Sequence, residues 1–150
     1  MDKVNKVLFP VDLSEVSPKI VPQVQMMVGQ FNAQIHLVYV AETLEYSAGV
    51  YGPVVGGRDF EEDLVKSAEK GLEDFERQHF SGYSNTVRAV LRGDPAEELL
   101  NYIEAHKIDM VIMGTHGRKG LDKIIFGSVA DHVVKNASVP VLTVNPYRKA

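Results

Sequence analysis

The sequence predicts a single α/β domain on an open parallel sheet of five strands, with helices on both faces. Three observations lead there. Short apolar runs alternate along the chain with longer segments of helical period, an order that implies a parallel sheet. The first run, Val7-Leu8-Phe9, is apolar without alternation, as expected of a strand covered on both faces. The chain has 150 residues, 45% of them apolar and 24% charged, which suits one globular domain with a sizeable core.

The first strand is expected over residues 4–11. A helix then runs to about Gln30, capped by Ser14 or Ser17, with Ile20, Val24, Met27 and Phe31 on one face. Pro18 suits the first helical position after a Ser17 cap. Pro22 lies one turn deeper and removes a hydrogen bond, so a distorted first turn is expected rather than loss of the helix. The second strand is 33–41. Residues 42–58 have no helical period and hold Gly49, Gly52, Pro53, Gly56 and Gly57, with Tyr46 and Tyr51 as their large aromatics. So long a connection reads as a mobile surface loop or as a lid or partner-binding loop.

The longest helix follows, over 59–79. Leu64, Ala68, Leu72 and Phe75 mark its buried stripe, and Glu61, Glu62 and Asp63 complement its N-terminal dipole. The third strand is 86–91. Asp94-Pro95-Ala96-Glu97 is a helix start, with an aspartate cap, proline in the first position and glutamate three residues after the cap; that helix runs to about His106. A fourth strand over 108–113, a helix from 129 to about 136 and a fifth strand over 139–144 complete the chain. Pro140 fits the start of that last strand or an exposed edge.

Composition excludes several functions. The formal charge is −4, against the basic footprint of a general nucleic-acid binder, although a local cluster can still hold a small anion. With no cysteine there is no disulfide, thiolate chemistry or cysteine zinc site. No stretch approaches the ~20 apolar residues of a membrane span, and the N-terminal residues do not read as a signal peptide, so a cytoplasmic location is expected.

The segment Gly114-Thr-His-Gly117, nine residues, then Gly127-Ser128 is the most informative in the chain. It leaves an apolar strand and ends where a helix begins. Glycines let backbone approach a ligand, and a helix start offers unpaired N–H groups, a geometry suited to a phosphate. His116, Arg118, Lys119 and Lys123 supply local basic character. From spacing alone, a plain strand–loop–helix turn stays open as the other reading.

In open α/β sheets, ligands bind beyond the carboxyl ends of the strands where strand order reverses. Two strand exits are chemically distinctive: Pro10-Val11-Asp12-Leu13-Ser14, and the glycine segment. Were these strands neighbours, one crevice would collect a carboxylate and a phosphate cradle, and Asp12 could accept from adenine N6 or a ribose hydroxyl. Asp12 and Ser14 could equally cap the first helix, and the two roles are compatible. Other templates fail: there is no Gly-x4-Gly-Lys-Ser/Thr loop, no Gly-x-Gly-x-x-Gly fingerprint and no Gly-x-Ser-x-Gly elbow. The five histidines have no paired metal-ligand spacing; His116 alone falls in the candidate site, as a phosphate contact or a solvated loop residue.

With these residues assembled, the chain resembles the universal stress protein family over nearly its whole length. The resemblance rests on Phe9-Pro10-Val11-Asp12-Leu13-Ser14, on Gly93-Asp-Pro-Ala-Glu-Glu98, and on a closing block from Asp109 through Gly114-Thr-His-Gly117-Arg118 and Phe126-Gly127-Ser128-Val129-Ala130 to Val144. The family's nucleotide-binding branch carries Gly-x2-Gly-x9-Gly-Ser/Thr, and Gly114, Gly117, Gly127 and Ser128 meet every position. The resemblance implies strand order 3-2-1-4-5, which periodicity does not give. It implies ATP as ligand, with Mg²⁺ or Mn²⁺ held mainly through the phosphates. Pro10, Val11 and Asp12 would line the adenine and ribose side, with Val40 packed on adenine. Met113 and Gly114 would line the ribose and phosphate side. Gly117, Arg118, Gly127, Ser128 and Val129 would hold the phosphates. A homodimer through strand 139–144 is also implied. Prolines at positions 18 and 22 depart from the family pattern.

Three functions follow for test. The first is an ATP-binding stress or signalling protein whose nucleotide occupancy alters the surface offered to a protein partner. The second is a slow ATP hydrolase or phosphotransferase, for which no catalytic base stands out. The third is a nucleotide-free dimeric interaction module.

Overall fold

The structure is a computed structural model that describes residues 3–42, 57–116 and 127–147. The expectations placed on Tyr46, Tyr51, Gly117, Arg118, Lys119 and Lys123 lie outside the described residues. In chain order the elements are β1 (Lys6–Pro10), α1 (Ser17–Phe31), β2 (Gln34–Ala41), α2 (Gly57–His79), β3 (Thr86–Arg92), α3 (Pro95–His106), β4 (Met110–Gly114), α4 (Ser128–Asn136) and β5 (Val141–Val144). The five strands form one sheet in the order β3-β2-β1-β4-β5, and every neighbouring pair is parallel. The expected architecture is therefore present, and β1 and β4 are neighbours. Among the described residues no helix is long and apolar enough to cross a membrane.

Alternation within each strand divides the core between two faces. Val7 and Phe9 of β1, with Ile35 and Leu37 of β2, pack against Ile20, Val24 and Val28 of α1 and Leu72 and Phe75 of α2. Leu8 of β1 faces the other way. With Val38, Val111 and Met113 it packs against Leu99, Tyr102 and Ile103 of α3 and Ala130 and Val133 of α4. Phe9, fully buried, meets Phe75 and Phe80 edge-on, with ring centroids 6.0 and 6.3 Å away.

The start of α1 differs from the expected serine cap. The cap position is Val16, and no side chain bonds the first turn there. Ser14 and Ser17 instead tie down the preceding turn: both hydroxyls donate to Asp12 Oδ1 at 2.7 Å, and Ser17 Oγ accepts from Asp12 N at 3.1 Å. The first turn is tight, with Lys19 N donating to Val16 O three residues back, as a distorted start requires. Pro22 lies inside the helix, which nevertheless continues to Phe31 because Val24 and Val28 bury its inner face. Asn32, at φ 53°, ends it in the left-handed conformation.

The α3 cap is as expected: Asp94 Oδ2 accepts from Glu97 N at 3.0 Å, and Pro95 occupies the first turn. The stripe of α2 needs one correction. Ala68, Leu72 and Phe75 are buried, but Leu64 is 40% exposed. A helix of 23 residues is roughly 35 Å long, whereas strands of five to eight residues span roughly 17–27 Å. The first turns of α2 overhang the carboxyl edge of the sheet, and Leu64 stands there beside a cavity.

At the opposite end of the sheet a polar group lies within the second core. His36, 3% exposed on β2, meets the Tyr102 hydroxyl at 2.7 Å through Nδ1 and Gln34 Oε1 at 3.0 Å through Nε2. Gln34 Nε2 donates to Asn85 Oδ1, which fixes the amide with its oxygen toward His36. The neutral ring therefore carries its proton on Nε2 and accepts from Tyr102. Burial, with His106 and Lys6 nearby, lowers the His36 pKa from 6.5 to about 4.

Candidate functional site

After β1 comes α1 on one face of the sheet, and after β4 comes α4 on the other. A cavity of about 560 Å³ opens between them at the carboxyl edge. Its size falls in the ordinary range for small-molecule sites. Pro10, Val11 and Asp12 from the end of β1, Val40 from β2, Met113, Gly114 and His116 from β4 and its exit, and Gly127, Ser128 and Val129 from the start of α4 all line it. The described members of the residue set expected from the sequence are thus brought together in one space.

Asp12 is held in place by its neighbours. Its Oδ1 accepts from Ser14 N, Ser14 Oγ and Ser17 Oγ at 3.0, 2.7 and 2.7 Å, and no described residue bonds Oδ2. Val11 N donates to Val38 O at 2.8 Å, carrying β1's pairing to the cavity edge. Between Asp12 and Ser14 the backbone passes through Leu13 at φ 59°, a left-handed conformation costly for leucine. The Leu13 side chain offsets that cost by packing against the first core. It reaches α2 at Gly71, where a Cβ would come within 3.0 Å of Leu13 Cδ1.

The β4 exit is equally constrained. Thr115 N donates to Val144 O of β5 at 2.9 Å, and Gly127 N donates back to Thr115 O, so the two ends of the glycine segment are bonded to each other. A Cβ on Gly114 would lie 3.0 Å from His116 O, tighter than ordinary contact, so glycine eases a close backbone approach here. His116 is 7% exposed, not a solvated loop residue; its Nδ1 shares a hydrogen bond of 2.9 Å with Thr115 Oγ1. Gly127 is the cap residue of α4 and makes no side-chain cap bond. The first N–H with an intrahelical acceptor is that of Asp131, to Gly127 O. The N–H groups of Ser128, Val129 and Ala130 are those a helix leaves over, at the positive end of its dipole.

The cavity is chemically two-ended. Carboxylates Asp12 and Glu42 belong to the β1 and β2 exits, apolar walls come from Val11, Val40 and Leu64, and the α4 terminus offers N–H donors. The described lining contains no lysine or arginine. Leu64 and Ile20 carry a helical core pattern in the sequence, so their place on the cavity wall was not foreseen. Glu42 has no signal beyond following a strand.

Fold and crevice define a doubly wound α/β protein with its cavity at the point where strand order reverses, between β1 and β4. Residues 3–145 match the universal stress protein family, and the chain belongs to that family. It is 32% identical over 147 residues to universal stress protein MJ0531 of Methanocaldococcus jannaschii, covering 96% of this chain and 84% of that one. It is 26% identical over 145 residues to universal stress protein YxiE of Bacillus subtilis, covering 93% and 98%. The solved structure of MJ0577, also from M. jannaschii, superposes with a TM-score of 0.81 at 26% identity, covering 98% of each chain.

Proposed function

We propose that the crevice binds an adenine nucleotide, ATP foremost, and that the protein acts in stress response or signalling through the conformation that nucleotide favours. The observation carrying this reading is the single cavity that joins Asp12 to the N-terminus of α4. A planar base fits the apolar walls of Pro10, Val11 and Val40. Asp12 Oδ2 is available to accept from a ribose hydroxyl or an exocyclic amine. Met113 and Gly114 line the path between sugar and phosphates. The N–H groups of Ser128 and Val129, unpaired among the described residues, suit phosphate oxygens, with Gly117 and Arg118 assigned to the same role from the family resemblance. Mg²⁺ or Mn²⁺ is carried mainly by the phosphates themselves.

Calorimetric titration of nucleotide-stripped protein with ATP and Mg²⁺ tests the reading. About one ATP per chain with a micromolar Kd, near −8 kcal/mol, is expected. No binding by folded, stripped protein would reject it and favour a nucleotide-free interaction module. Turnover is the weaker reading, because this pose sets Asp12 at the adenosine end, away from the phosphates at the start of α4.

We also propose a homodimer through β5. It is the last strand of the sheet, and its outer edge, which no described strand pairs, needs a partner or protection. Leu142 on it is 36% exposed. Leu142→Glu should convert a dimer to a monomer in light scattering behind size exclusion. A variant that stays dimeric would move the interface elsewhere.

A further inference from the structure

We propose that Lys19 is a phosphate-binding residue of this crevice, its ammonium exchanging between the ring of Tyr147 and the phosphate chain of a bound nucleotide. The inference rests on the nucleotide reading above and deepens it. The described cavity lining holds no lysine or arginine, and a polyphosphate gains from each cation added to those the glycine segment carries in sequence, Arg118, Lys119 and Lys123. Lys19 is an exposed cation in the first turn of α1, three residues after Val16 and adjacent to Ile20, both of which line the cavity. Its Nζ lies 4.6 Å from the centroid of the Tyr147 ring. That ring in turn stands edge-on to His116, 5.1 Å between centroids, and His116 lines the cavity.

The three side chains therefore form a short row from the α1 surface to the cavity wall. Its middle member is set by the chain beyond β5, where Tyr147 N donates to Asn145 Oδ1 at 2.9 Å. A lysine over an aromatic ring at an exposed site is weakly held, and its four-carbon stem is flexible. Ammonium to phosphate is a charge-assisted contact of greater strength, so the exchange runs toward the phosphate. No sequence motif marks Lys19, because the row joins residues far apart in the chain.

The test compares ATP and adenosine binding by the full chain as wild type, Lys19→Gln and Lys19→Arg, at low and physiological salt. Lys19→Gln is expected to weaken ATP about tenfold at low salt and to leave adenosine unchanged. Lys19→Arg should restore most of the ATP affinity, and Lys19→Gln should reduce its dependence on salt. Equal ATP affinity in wild type and Lys19→Gln, or an equal loss of ATP and adenosine, overturns the assignment while leaving the nucleotide reading standing. Wild-type protein that binds neither ligand overturns both.

Discussion

Gly127→Leu is expected to abolish ATP binding, a loss of about a hundredfold or more, while the protein stays folded. Gly127 sits at φ −62° and ψ 156°, a conformation any residue adopts. Among the described residues a Cβ there would meet only Thr115 O, at 3.4 Å, which is near ordinary contact. The backbone does not demand glycine at this position, so its bareness is available to explain ligand approach. A leucine would place its side chain at the mouth of the α4 N–H groups and block a phosphate from them. Gly114 would be a poorer test, since a side chain there crowds His116 O at 3.0 Å and shifts the backbone of the site itself. Calorimetry beside a thermal melt decides the matter. Unchanged ATP affinity in the folded variant would take the phosphates away from α4.

The second large effect is on stability in acid. His36 is neutral, buried and bonded at both ring nitrogens, with its pKa lowered to about 4 by burial and by His106 and Lys6. In the unfolded chain the same ring takes up a proton near pH 6.5. Between these values the unfolded state binds more protons than the folded one, so stability falls as pH drops from about 6.5 through about 4 and then levels off. The loss is on the order of 3 kcal/mol from this one group. Urea unfolding across that range should show the slope in wild type and its reduction in His36→Gln. A slope of the same size in both would place the acid sensitivity in other groups.

The fold was legible in large part because its signals are local. Apolar runs and helical periods mark the elements of the described residues, and Asp94-Pro95 marks one helix start to the residue. Strand order was not local information: nothing in the period of β1 or β4 says that they pair, and only the family resemblance supplied it. The candidate site was legible where glycines and Asp12 break the pattern. It was not legible where a cavity wall is made of residues that also look like core, as at Leu64 and Ile20. Ser14 and Ser17 misled because a serine before a helix caps it or braces the turn before it, and the backbone path through Leu13 decides which. The bond from His36 to Tyr102 joins positions 66 residues apart and leaves no trace in either neighbourhood.

Gly71, in the middle of a surface helix, invites a routine stabilising change to alanine, worth roughly 1 kcal/mol from helix propensity alone. Here that gain would be levied on another part of the molecule. The added methyl presses on Leu13, and Leu13 belongs to the turn that aims Asp12. On the proposed nucleotide reading, a change at this position is expected to reach ligand affinity through Leu13 and Asp12. Any campaign that ranks variants by melting temperature alone would select, unknowingly, for a retuned crevice.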